Sequence, residues 1–256
     1  METKINKLFQ LVPQGVVMTG KWLHQQGYSP ELLRSYRNSH WLEKIGHGAM
    51  IRKGDKVDFT GAIFAIQEQL QLKIHVAAST SLVLQGKAHF IYTDPQNIFL
   101  FGDEREKLPK WFSKYKWGVN IKFYSSSFLP ADIGLKEMEI KNFKIKISNS
   151  ARALMECLYL STLPEDFIHT YEMMQGLNNL HLETTKLLLK NCTSVKVKRL
   201  FLYMAEKSNH AWFKHIDLSQ IDMGKGNRSL VKEGVYISKY RITVPKELED
   251  NAISEL

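Results

Sequence analysis

Arg34, Ser35, Arg37 and Asn38 fall within five residues of one another, after a Ser29-Pro30 pair that can start a helix. Side chains of these types on one helical face can pair with phosphate oxygens or with the hydrogen-bonding edges of bases. Lys44, His47, Arg52 and Lys53 follow at once, and Lys21 precedes them, so further groups suited to holding a phosphate backbone cluster in the same short stretch. The alternative is a solvated charged face with no ligand.

Positioning these groups requires particular elements. The Ser29 hydroxyl can cap a helix, and Pro30 suits its first position because the missing N–H would be unpaired there anyway. Leu33, Tyr36 and His40 recur at spacings of three and four beside Leu32, giving the helix an apolar face opposite the polar one. Trp41, Leu42 and Ile45 continue the apolar set. Gly46-His47-Gly48 then supplies a tight turn before Met50, Ile51 and Arg52 resume an extended pattern, so a basic hairpin tipped by His47 follows the helix. Upstream, 4–12 reads as a helix ended by Pro13, Val16-Val17-Met18 as a short strand, and 20–26 as a helix capped by Thr19 and closed by Gly27. Helix, strand, helix, turn, helix and wing in that order describe a winged helix-turn-helix.

Charge distribution agrees. The 256 residues carry 35 Lys and Arg against 26 Asp and Glu, a formal net charge of +9. Residues 1–56 hold six Lys, three Arg and four acids, so more than half of the excess lies in less than a quarter of the chain. A polyanionic partner fits that concentration. With 44% hydrophobic and 24% charged residues the chain can bury a sizeable core. No apolar run of membrane-spanning length, signal peptide or lipidation motif is visible, and Cys157 and Cys192 stand alone as small buried side chains, so a cytoplasmic protein is expected.

Asp58 should cap a helix over 59–70 that bridges two domains, 1–78 and 79–256. Beyond it, 73–78 reads as a strand and 79–85 as a brief helix. Strand-like runs then occur at 89–92, 97–101, 119–124, 134–140 and 143–147, with a helical turn at 109–114 that packs Trp111 and Phe112. From Asn149 the period becomes helical, with helices over 151–160, 165–176, 182–191 and 195–206, and two last strands near 229–231 and 240–244. The fold class is α+β: the winged helix, then a larger domain of mixed, largely antiparallel sheet, helical bundle and C-terminal hairpin.

Catalytic motifs are missing. There is no GxSxG, HExxH, Walker loop or dinucleotide fingerprint, so no enzyme, cofactor or metal is expected. His210 and His215, five residues apart, do not share a helical face as two metal ligands would. Gly224-Lys225-Gly226-Asn227-Arg228 lacks the spacing and hydroxyl of a phosphate-cradling Walker loop and reads as a basic turn, with a secondary nucleic-acid or acidic-partner contact as the other option. Lys196, Lys198 and Arg199 form another basic series, either a solvated face or a contact for RNA or a partner protein.

In order and spacing, QGVVMTGKWLHQQGYSPELLRSYRNSHWLEKIGHGAMIRKGD, HVAASTSLVLQGKAHF, ISNSARALMECLYL, VKVKRLFLYMAEK and YISKYRITVPKEL make the chain resemble the AbiEi antitoxins of AbiE-type (type IV) toxin-antitoxin systems. The resemblance covers nearly the whole chain. It implies a winged helix that binds double-stranded DNA at inverted repeats in its own promoter, making the protein an autorepressor. It also implies a C-terminal domain that counters a nucleotidyltransferase-type toxin without a stable complex. The glycine-serine and paired-aspartate signature of such a transferase is not in this chain, which is the antitoxin side of the pair. An RNA- or protein-binding module with a secondary winged helix is the other reading. The chain departs from the family pattern in three places: His40 stands where glycine often follows the third helix, Met50 where the wing often has an aromatic residue, and Asn149-Ser150 where Ser-Pro often starts a helix, although either of these two can cap it.

Overall fold

Thr3 accepts the Asn6 N–H and starts α1 (Lys4–Leu11), which buries Ile5 and Leu8 on one face. The chain continues through β1 (Met18–Thr19), α2 (Gly20–Gln25), α3 (Pro30–Asn38), β2 (Leu42–Gly46) and β3 (Ala49–Arg52). This computed structural model describes residues 3–87 and 96–250. The first three strands form an antiparallel sheet in the order β1-β3-β2, and Gly48, at φ +77°, allows the turn between β2 and β3. The expected strand at Val16-Val17-Met18 starts later, at Met18, although Val16 and Val17 are buried. Thr19 does not cap α2: its hydroxyl has no partner, and its N–H goes to the Gln69 side chain at 2.7 Å.

Asp58 caps the next helix as expected, accepting the Thr60 N–H at 2.9 Å and the Gly61 N–H at 3.4 Å. The helix is α only over α4 (Phe59–Phe64); Ala65–Gln69 widen into a π-turn. Two buried glutamines leave this turn two positions apart, hence on opposite sides of the helix. Gln69 accepts from Thr19 N–H and donates to the Val17 carbonyl at 2.8 Å, acting as a strand partner beside β1. Gln67 donates to the carbonyls of Ile74 and Lys146, at 2.8 and 2.9 Å, and accepts the Lys146 N–H at 2.7 Å. Those bonds tie Ile74, at the start of one strand, to Lys146 on the neighbouring strand inside a second sheet.

That sheet contains β4 (His75–Val76), β5 (Asn97–Gly102), β6 (Asn120–Ser125), β7 (Leu135–Ile140) and β8 (Phe143–Ser148), in the order β6-β5-β4-β8-β7. It is mixed: β4 runs antiparallel to β5 but parallel to β8, and β5 is parallel to β6. The expected strand at 89–92 lies outside the described residues. Between β5 and β6, α6 (Lys110–Lys114) buries Trp111 and Phe112, and Trp111 sits so close to Gly46 that a Cβ there would lie 2.8 Å from it.

Two compact units result. The first gathers the chain through Val76, the segment ending at Ser125, and Glu137–Ile147; the second holds α5 (Ala78–Leu84), Ser126–Lys136 and the chain from Ser148 onward. The expected boundary near residue 78 falls just after β4, the middle strand of the second sheet, and most of that sheet groups with the winged helix.

In the second unit, α7 (Ser150–Leu160) is the central helix, packed by α5, α8 (Pro164–Gln175), α9 (Leu182–Asn191) and α10 (Val195–Lys207). Asn149 caps α7 through the Arg152 N–H at 2.9 Å. Arg152 is buried beside Glu156 at 2.8 Å and also donates to the carbonyls of Pro130 and Ile133, while Glu156 accepts the Ala78 N–H and the Ser148 hydroxyl. After β9 (Arg228–Ser229), the C-terminal hairpin is β10 (Gly234–Ile237) and β11 (Ile242–Pro245), followed by α11 (Glu247–Asp250). The expected strand at 229–231 is thus a two-residue parallel partner of β11, and Tyr240 lies in the hairpin turn instead of a strand.

Replacing Gln69 with Leu should cost about 2–4 kcal/mol, because the Thr19 N–H and Val17 carbonyl would both be buried without partners. Urea unfolding measures it; a cost near zero would show that water or a shifted strand replaces the amide.

Candidate nucleic-acid interface

The third helix is held at both ends by local bonds. Ser29 spends its hydroxyl on the Leu32 N–H at 3.2 Å, and Glu31 in the first turn is held below the usual carboxylate range by a backbone N–H and the Ser29 hydroxyl. At the other end His40 does not extend the apolar face as its spacing suggests. It takes a left-handed conformation at φ +58°, with its N–H on the Arg37 carbonyl and the Trp41 N–H on the Tyr36 carbonyl. This is the Schellman closure that usually employs glycine.

Arg34 and Arg37 from α3 and Lys44 and His47 from the wing line one groove of about 490 Å³. His24 on α2 and Tyr28 line it too, and neither was singled out by sequence pattern. Only the solvent-facing position of His24 in α2 could have signalled it. Tyr28 is fixed by its hydroxyl on the Lys4 carbonyl at 3.1 Å. Ser35 and Asn38 are exposed on α3 and Lys21 on α2, outside the groove lining. Lys53 is exposed and pairs with Glu43 at 2.9 Å across the wing.

Arg52 belongs to a different class. Its guanidinium donates to the carbonyls of Phe9, at 2.5 Å, and Val12, and lies 4.5 Å over the Phe9 ring. Burial lowers its pKa from the ordinary value, with Asp55 opposing that shift. It therefore pins the end of α1 to the wing sheet, and its charge is directed at carbonyls that α1 leaves unpaired. The expectation that Arg52 holds phosphate does not survive this geometry.

The second basic series divides in the same way. Lys196 donates to the carbonyls of Tyr159 and Ser161 at 3.0 and 2.9 Å, and Lys198 is 5% exposed. Arg199 is 1% exposed, with its guanidinium on four carbonyls. These three are structural, against the expectation of a solvated or partner-binding face; Lys225 and Arg228 do stand exposed. Both cysteines are buried, and burial pushes the Cys192 thiol up to about 11. His210 is a packing histidine, bonded to the Met174 carbonyl at 2.7 Å and stacked on Trp212. Among the described residues no group of three His, Cys, Asp or Glu could hold a metal ion, and no helix is long and apolar enough to cross a membrane.

A helix, a turn, a third helix with a polar face and a two-stranded wing define a winged helix-turn-helix protein, here with a larger α+β part. Its sequence matches two family profiles end to end: "Transcriptional regulator, AbiEi antitoxin N-terminal domain" over residues 1–93, and "Transcriptional regulator, AbiEi antitoxin, Type IV TA system" over residues 95–245. The chain belongs to the AbiEi antitoxin family of transcriptional regulators. A crystal structure of the RV2827C protein from Mycobacterium tuberculosis is similar in fold, with a TM-score of 0.57 at 13% identity over 94% of this chain and 89% of that one. No curated protein matches the sequence.

Arg52→Met should destabilise the fold by about 1–3 kcal/mol, through the lost charge-assisted bonds to α1. Arg34→Met, on an exposed position, should change stability by less than about 0.5 kcal/mol. Parallel thermal melts check the contrast, and equal effects would remove the distinction between the two arginines.

Proposed function

We propose that the winged helix binds double-stranded DNA at inverted repeats in the promoter of its own operon, so that this antitoxin is also an autorepressor. The observation that carries the reading is the groove in which Arg34 and Arg37 of α3 face Lys44 and His47 of the wing. A helix laid in the major groove with a wing beside it needs cationic groups where the sugar-phosphate strand passes between them. In this reading exposed Ser35 and Asn38, with the two arginines, read base edges, and exposed Lys21 and Lys53 contact flanking phosphates, Lys53 giving up its Glu43 partner to do so. The part of the chain beyond the winged helix counters the toxin, which we take to be a nucleotidyltransferase encoded beside it and neutralised without a stable complex.

Joint replacement of Arg34 and Arg37 by Ala should weaken binding to the promoter fragment by on the order of 100-fold in an electrophoretic shift, with a smaller loss on random duplex. Lys44→Ala should weaken both alike and reduce the log–log salt slope by about one. Unchanged promoter affinity in the double variant would mean that α3 is not the reading helix. Co-expression with the neighbouring toxin separates the two roles, since the double variant should still rescue growth.

A further inference from the structure

In the second unit the Arg199 guanidinium meets no carboxylate among the described residues. Nε donates to the Met223 carbonyl at 2.7 Å, Nη2 to Gly224 at 3.1 Å, and Nη1 to Gly226 and Arg241 at 2.7 and 3.0 Å. The 223–228 loop is thus folded around a buried cation with its carbonyls turned inward, which Gly224 and Gly226 permit at φ +63° and +72°. In a trans peptide the N–H points opposite to the C=O of the same unit. Inward carbonyls at 224 and 226 therefore turn the N–H groups of Lys225 and Asn227 outward, and neither meets a protein acceptor among the described residues. The Gly224 N–H is already held by Asp222 at 2.8 Å.

Positive side chains surround this loop. Lys225, Arg228 and Arg241 are exposed, and among the described residues no carboxylate pairs with any of them. Arg228 and Arg241 lie close enough to Arg199 that their charges add to burial in lowering its pKa. Arg241 holds a strained left-handed backbone at φ +54°, where glycine or asparagine would fit at less cost. Beside the loop, Tyr236 is 48% exposed, with its hydroxyl on the Asn227 side chain at 3.0 Å.

Three guanidinium groups and an ammonium at this loop pair with no carboxylate among the described residues, the one acid beside them, Asp222, being turned to the Gly224 N–H; they repel one another, and a bound anion relieves that repulsion. Arginine forks and outward backbone N–H groups suit phosphate oxygens. An exposed aromatic ring next to them suits an unpaired base, which a duplex, with its bases already stacked, cannot present. We propose that the 223–228 loop, with Arg228, Arg241 and Tyr236, binds single-stranded nucleic acid: phosphates on the loop and arginines, a base on Tyr236. The site lies outside the winged helix and does not depend on how that element is used.

The test uses the full chain carrying Arg34→Ala and Arg37→Ala to silence the winged helix, with fluorescence anisotropy of labelled RNA, single-stranded DNA and duplex DNA of about 12 nucleotides. Lys225→Ala, Arg228→Ala and Arg241→Gly together should raise Kd for single strands about 30-fold or more and reduce the salt slope by about two. Tyr236→Leu should raise it about tenfold at an unchanged slope. Loss on RNA alone would assign the site to RNA, and equal loss on both single strands to the shared backbone and base. Single-strand affinity that is unchanged in the triple variant, or duplex binding as tight as single-strand binding with no effect of Tyr236→Leu, overturns the proposal. Should the triple variant melt early, Arg228→Ala and Tyr236→Leu alone decide by the same criteria.

Discussion

The first unit depends on two buried amides. Gln67 and Gln69 leave one π-turn in opposite directions, and each supplies the donor and the acceptor that a neighbouring strand would otherwise have to provide. β1 is two residues long and β4 likewise, too short to satisfy their surroundings by backbone pairing alone. A buried polar backbone group without a partner is costly, so the amides fix where both sheets stand relative to the helix between them. Thr19, whose N–H Gln69 holds, leads directly into α2, and α2 leads into α3. The attitude of α3 is thus tied, through Thr19, to a side chain fifty residues beyond that threonine. Gly61 sharpens the constraint, since a Cβ there would lie 1.9 Å from the Gly15 carbonyl oxygen.

Cations turned onto backbone follow a second rule. Half-buried Arg52 and Lys196 and buried Arg152 and Arg199 all end on backbone carbonyls, and among the described residues only Arg152 also bonds a carboxylate. Taking a charge out of water is tolerated when most of its donors find acceptors, and the planar guanidinium can serve several carbonyls at once; the Arg52 Nε is left buried without a partner among the described residues. Loops and helix ends are rich in such orphan carbonyls. In this protein arginine therefore shapes irregular backbone, at the end of α1 and around the 223–228 loop, as much as it charges the surface. The same side chain type does both jobs, and the partner decides which.

Sequence pattern recovered elements governed by neighbours in the chain. The Ser29 and Asp58 caps, the helices of the second unit and the Gly-His-Gly turn all rest on contacts within a few residues, so spacing alone locates them. It also grouped Arg34, Arg37, Lys44 and His47, which the fold brings to one groove. It failed where a distant partner intervened: the π-turn, the Thr19 N–H taken by Gln69, and the grouping of the second sheet with the winged helix. His40 had the right spacing for the apolar face, yet the helix had to end and the left-handed turn claimed that position.

What the amino-acid sequence determined by itself is the order of elements, the family to which they belong and the concentration of positive charge near the N-terminus. Periodicity, capping residues and local charge carry that information along the chain. Only the tertiary structure decided which of the basic residues are available to a ligand. Arg34 and Arg52, or Arg228 and Arg199, are the same in composition and similar in local pattern. They differ because carbonyls brought from elsewhere in the chain surround one of each pair and leave the other in water.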